Sequence, residues 1–460
     1  MNQLMDEQAY LKALASRPLG ERLRGYTRLN GPGFMQSAMT LGGGTVASCV
    51  LMGSMLGYEL LWVQPLAILL GVAVLAAIAK QTCHTQEKPY GVFWRRLHPA
   101  LALLWGASAL VATIIWHFPQ YSLSANGVTA LLSGAGIDIS TFEPGPRFAF
   151  QMGIGAAILA LSAYVVSLYE AGTAGLKVYE VSVKYLVWAI VIAFAVVAVA
   201  SGIDCGRFFL GITGISFVQR VMTEGLPAST IRPIVGGLAA AVGINMVFLY
   251  PYSLLRKNWG PAHKEVAYFD LVTGMLIPFL VATTFLIVAT ANTIGPAAGQ
   301  TGTEVRNILQ LVPVLSTTFG EGLALVLIGF GMLAVGVSTI ITHMLASGFI
   351  GCEVFGQSDN ARARRWFSFL PAIGIFGVAY PFPWAMSVTA STLAYPLLPV
   401  AVLCFMVLLN RRDYMGAERP EGRARLMWNA VLGFAVVFMV AAAGLALQQN
   451  WNDLRAFLGS

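Results

Sequence analysis

Three consecutive glycines, Gly42-Gly43-Gly44, followed by Thr45, stand near the middle of an apolar run that opens at Gly31-Pro32-Gly33-Phe34. Glycine costs a helix about 1 kcal/mol against alanine. Backbone at membrane depth stays unwound only where it is buried in protein or lines a cavity. The chemistry such a break offers is recognition, since free N–H groups at the start of a half-helix favour an anion or carboxylate. Gly42, Gly43, Gly44 and Thr45 would supply that nest without side-chain obstruction. A close helix–helix contact through small residues is the alternative.

A second interruption is predicted in Val242-Gly243-Ile244-Asn245-Met246-Val247-Phe248-Leu249-Tyr250-Pro251-Tyr252-Ser253. Gly243, Asn245 and Pro251 can each disturb the hydrogen-bond ladder, proline by removing a donor. Asn245, Tyr250 and Tyr252 could add hydrogen bonds to a solute, and Phe248 could cover its apolar part. A tyrosine so placed is more often a packing residue or an interfacial anchor than a ligand. His117 and His343 are the ionisable groups inside apolar runs, candidates for a proton path by that placement. A neutral histidine bonded to a backbone carbonyl is the competing reading.

The elements that must position these residues are membrane helices. Hydrophobic residues make up 57% of 460 and charged ones 11%, where a soluble domain carries about 25% charged. Mean hydropathy is +0.71. The apolar runs are continuous, without the alternation of a barrel. Eleven spans of sufficient length are predicted at 33–56, 60–80, 98–125, 149–169, 178–201, 233–255, 266–292, 319–350, 366–382, 385–410 and 426–447. Short helices are predicted in the connections at 218–226 and 303–316, and a basic amphipathic helix or a solvated tail at 8–29.

With this topology 22 of the 28 Lys and Arg residues fall on one side. Positive charge stays cytoplasmic, so the N-terminus is expected inside, the C-terminus outside, and the membrane to be the plasma (inner) membrane. The net charge of +7 is therefore topology and not a sign of nucleic-acid binding. Cys49, Cys83, Cys205, Cys352 and Cys404 are scattered, with no disulfide framework or zinc spacing.

Spans one and six carry the interruptions and are five apart, the mark of an inverted-repeat transporter with its site between them. The expected organisation is a cytoplasmic segment 1–32, a five-helix repeat 33–201, an outer connection 202–232, a second repeat 233–410, and a loop with an eleventh helix in 411–460. The fold class is thus an all-α integral membrane protein with a 5+5 inverted repeat.

Along this frame the chain resembles the NRAMP family of divalent metal transporters, which has the LeuT fold. The resemblance rests on Gly31-Pro32-Gly33-Phe34, Gly57-Tyr58-Glu59-Leu60-Leu61-Trp62, Leu249-Tyr250 with Ser253, and Phe269-Asp270-Leu271. Gly336-Val337-Ser338-Thr339-Ile340-Ile341-Thr342 and Pro399 with Asn410-Arg411-Arg412 complete it. It covers nearly the whole chain in matching order. The family's metal-binding Asp-Pro-Gly-Asn falls on Gly42-Gly43-Gly44-Thr45, and its Met-Pro-His falls near Asn245-Met246-Val247. Its span-ten glutamine has no counterpart between Ser387 and Pro399. Of its span-three proton-path acids none is present, Gln120 being the nearest polar residue. No Asp or Glu occupies the central part of any span.

The resemblance to sodium-coupled proteins of the same fold implies a coupling-ion site. There the adjacent hydroxyls of Ser338 and Thr339, expected to face nearly the same way, would join carbonyls of Thr40 to Gly43. The leading expectation is an NRAMP-related secondary transporter without the transition-metal site, moving a small, carboxylate-bearing solute with Na+ or H+. The alternative is a divalent cation transporter (Mn/Mg-type) with a carbonyl and amide site. A non-transporting membrane sensor is a third reading. No constellation supports an enzyme. Expected partners are the lipid bilayer and a small solute or ion, with no cofactor beyond the coupling ion, no nucleic acid and no protein partner.

Overall fold

The structure, a computed structural model, describes residues 2–225, 228–295, 312, 316, 319–379 and 395–458. Among them all regular structure is helical. Eight single helices are long and apolar enough to cross a bilayer, and two bent pairs raise the number to ten. Spans two to five are Val63–Thr85, Pro99–Gly134, Pro144–Glu170 and Gly172–Ser201. Spans six to eight are Pro233–Arg256, Pro261–Thr293 and Glu321–Val354, and the last is Gly422–Gln448. The bent pairs are Pro32–Thr40 with Gly43–Leu60, at 53°, and Tyr395–Asn410 with Arg412–Glu418, at 74°.

The predicted span 366–382 is the one not counted among the described residues, and its last three residues lie outside them. There a short helix, Ala361–Ser368, leads into 3-10 helix over Leu370–Val378. Glycine is a weak α-helix former, and Gly374 and Gly377 press this segment directly on the span-three backbone at His117 and Phe118. Residues 380–394, which hold the start of the predicted span 385–410, lie outside the described residues, as does most of the predicted helix 303–316. The predicted helix at 218–226 is Ile215–Glu224. The amphipathic stretch 8–29 is divided between Asn2–Ala15 and Leu19–Tyr26, because Pro18 cannot continue a helix across the junction.

Spans three and eight lean on one another through glycine. A Cβ on Gly127 would stand 2.6 Å from the Gly329 carbonyl, and one on Gly329 2.8 Å from the Gly127 carbonyl. Two turns further along, a Cβ on Gly336 would stand 2.7 Å from the Gln120 carbonyl. Small residues let membrane helices meet backbone to backbone, where dispersion replaces the missing hydrophobic drive. This pair forms the wall against which the broken spans are set.

Span one is helical over Pro32–Thr40 and again from Gly43. Span six is interrupted at Val242-Gly243, between Ala228–Ala241 and Ile244–Arg256. Pro251 lies inside the second half and makes no break. The start of span one is fixed by Asp270 of span seven, whose carboxylate accepts from Gly31 N at 3.1 Å and Gly33 N at 2.6 Å. Span seven then runs through a π turn, Val272–Leu276.

Away from the breaks, Arg364 clamps Glu170 at the end of span four with two bonds of 2.7 and 2.9 Å. The two side chains are only 18% and 11% exposed. Removing one partner of a buried pair strands the other charge, at a cost of about 3 kcal/mol. Arg364→Ala is therefore expected to lower the thermal midpoint in detergent clearly, and the double variant Arg364→Met with Glu170→Leu to regain most of the loss. Equal midpoints for wild type and Arg364→Ala would mean that the pair contributes nothing.

Candidate functional site at the two helix breaks

Where a helix stops at mid-membrane its terminal N–H and C=O groups need partners. The partners found here build the site. Gly43, first residue of the second half of span one, donates its N–H to Gln120 Oε1 at 3.0 Å. The Thr45 hydroxyl donates back across the break to the carbonyl of Thr40. The Thr40 hydroxyl lies 3.2 Å from the Ala241 carbonyl, the last helical residue before the break in span six, and 3.3 Å from Met246 Sδ. That sulfur also accepts from Gly243 N at 3.3 Å. The two breaks thus meet, with a thioether between them.

Between them is a small space of about 30 Å³. Gly42, Gly44, Thr45, Gly243, Asn245 and Met246 line it from the broken spans. Met39 adds a second methionine, and Gln120, Trp116, Thr339 and His343 close it from spans three and eight. The side-chain donors are two amides, two thioethers, two hydroxyls and an imidazole, all uncharged when the histidine is neutral. Among the described residues no group of three or more His, Cys, Asp or Glu could hold a metal.

Several buried polar atoms around this space have no hydrogen-bond partner among the described residues. They are Asn245 Nδ2, His343 Nδ1 and Trp116 Nε1. Buried polar groups are nearly always paired, so these atoms are free to meet a guest in the space. His343 stacks on Trp116, with ring centroids 6.1 Å apart, and lies 5.5 Å from His117. His117 is fully buried behind it and does not line the space.

Not all sequence candidates converge. Only Leu41 and Gly42 leave the helix, whereas Gly43 and Gly44 already belong to the second half of span one. Ser338 and Thr339 do not face the same way, because adjacent helix residues point about 100° apart. Thr339 Oγ1 reaches the Ala38 carbonyl at 2.9 Å, while Ser338 bonds Val335 of its own helix at 3.1 Å. Phe248 and Tyr252 stack on each other at 5.1 Å, Phe248 against Trp105 and Tyr252 against Phe349, away from the space. Tyr250 is fully buried and also stands apart from it. Residues immediately after the break face inward, and those one turn on face the neighbouring spans. Met39 and Trp116 carry no signal in the sequence, where these types in an apolar run read as core, and Met246 enters it only through the family's Met-Pro-His motif.

Residues 33–448 match the family model of Nramp, described as Natural resistance-associated macrophage protein-like. The divalent metal cation transporter MntH of Acidiphilium cryptum is 24% identical over 427 residues, 91% of this chain and 90% of that one. The metal transporter Nramp2 of Arabidopsis thaliana is 25% identical over 350 residues, 73% of this chain. The match spans 59% of that plant protein's length. Among solved structures, a mutant of the Eremococcus coleocola manganese transporter superposes with a TM-score of 0.71 at 15% identity, covering 97% of this chain and 90% of that one. MhsT, solved in complex with L-phenylalanine, gives 0.56 at 14% identity, covering 89% and 98%. The fold is thus the LeuT type, shared by neighbours whose solved ligands differ in kind.

Proposed function

The chain belongs to the Nramp family, and from that premise we propose that it carries a divalent metal cation across the membrane through an uncharged site. The carrying observation is the small space where the two breaks meet, lined by oxygen, nitrogen and sulfur donors. Gln120, Asn245, Met246 and His343 are the side chains that would replace water around the ion, with Thr45, Thr339 and carbonyls of the breaks beside them. Helix ends offer their carbonyls to cations, and thioether and imidazole suit softer transition metals better than magnesium or calcium. A carboxylate-free site holds such an ion less tightly than one with acids, and leaves it partly hydrated.

The expected carboxylate-bearing solute finds no support in these observations. The first N–H of the expected anion nest is taken by Gln120. The family relationship favours the metal reading, the alternative held from the sequence. Coupling to Na+ or H+ and the cytoplasmic N-terminus belong to the proposal.

The test is flux into liposomes holding the purified chain, with manganese, cadmium and magnesium offered against a chelator control. Gly42→Asp sharpens it. Gly42 has ordinary extended angles, φ −83° and ψ 179°, and Asp is a favoured residue at a helix start. Metal uptake by the wild type, kept or raised by Gly42→Asp, is the expected result. Uptake of organic acids that Gly42→Asp abolishes, with no metal flux, would overturn it.

A further inference from the structure

At the end of the molecule where the basic residues collect, a cavity of about 450 Å³ opens between the start of span one, the start of span five and the end of span six. Arg28, Lys177, Lys184, Arg256 and Lys257 line it against two acids, Glu7 and Glu180, leaving a surplus of three positive charges. Lys257 is consumed internally, bonded to both oxygens of Glu180 at 2.9 Å and to the Leu29 carbonyl at 3.0 Å. Arg256 gives one nitrogen to the Tyr169 carbonyl at 3.2 Å, but its buried Nε has no partner. Arg28 and Lys177 have no ion pair among the described residues, and Lys184 only rests over the Phe34 ring at 5.1 Å. Like charges gathered round a concave space repel one another unless an anion joins them.

Beside the cavity, span five turns an apolar stripe outward. Val178, Val181, Tyr185, Trp188 and Ile192 are 38–73% exposed at spacings of three and four residues, one face of a helix. Lys177 and Lys184 flank the start of that stripe, so cations at the mouth continue into a surface shaped for hydrocarbon.

We infer that this cavity binds the phosphate headgroup of an anionic phospholipid, whose acyl chains lie along the outward stripe of span five. Basic pockets between membrane helices hold anionic lipid headgroups by this charge complementarity. The stripe is what selects a lipid over a free phosphate ester. Because Asn30, Gly31 and Phe34 form one wall, the headgroup bridges the first half of span one to span five. It thereby steadies the element that precedes the break. The inference is independent of which ion the chain carries.

Native mass spectrometry of the full chain exchanged into phosphatidylglycerol or phosphatidylcholine tests it. The wild type is expected to retain phosphatidylglycerol at least tenfold more than phosphatidylcholine, and the triple variant R28Q/K177Q/K184Q to lose that preference. Equal retention of the two lipids by the wild type, a comparison that needs no variant, would overturn the site. So would an unchanged preference in the triple variant. Glycerol phosphate that binds as tightly as phosphatidylglycerol would overturn the lipid and leave a site for a soluble phosphate ester.

Discussion

Met246→Leu should lower cadmium uptake about tenfold, the equivalent of about 1.4 kcal/mol, while changing magnesium uptake less than twofold. Leucine keeps the volume and apolar character of methionine and removes only the sulfur. In the structure that sulfur sits between the breaks, 3.3 Å from both Thr40 Oγ1 and Gly243 N, on the surface of the central space. A thioether is a soft ligand that contributes to cadmium and little to magnesium. The ratio of the two fluxes therefore isolates ligation from packing. If both fluxes fell together with the thermal midpoint, Met246 would be holding the breaks rather than the ion.

Gly33→Ala should cost about 3 kcal/mol, enough to deplete the folded protein and abolish flux. A Cβ at Gly33 would be built onto the Asp270 carbonyl, with its carbon at 2.6 Å. That carbonyl belongs to a helix and cannot turn aside. Retreat in the other direction is closed as well, because Gly274 of the π turn faces Gly33 and Phe34 at 2.9 and 2.8 Å on the same measure. The substitution would also pull Gly31 and Gly33 from the Asp270 carboxylate, a charge-assisted pair of bonds. Asp270→Asn should do less harm, since the amide oxygen still accepts one of them. Detergent-solubilised yield and thermal midpoint measure both variants. A Gly33→Ala midpoint within a degree of wild type would show that span one can seat without this contact.

Hydropathy made the long spans legible, because lipid demands about 20 apolar residues of any helix that crosses it. It does not distinguish α-helix from the 3-10 helix found over Leu370–Val378, whose glycines serve a contact with span three. The breaks were legible in Gly42 and Gly243, where helix propensity and membrane cost conflict. Gln120, Asn245 and His343 were legible too, as polar groups in apolar surroundings. The direction in which a side chain points was not. Phe248, Tyr250 and Tyr252 suit a solute by type, yet helical rotation turns them to neighbouring spans. Met246 carries no polar signal in a sequence and occupies the centre of the site.

The glycine contacts of Gly127 with Gly329 and of Gly336 with the Gln120 backbone give the central space two unlike sides. Spans three and eight, packed backbone on backbone at the density of a protein interior, form one continuous wall that carries Gln120, Thr339 and His343. Spans one and six, each cut through, bring Gly42, Thr45, Asn245 and Met246 against it. Under the proposed function a cation would be met by unbroken helices on one flank and by helix ends on the other.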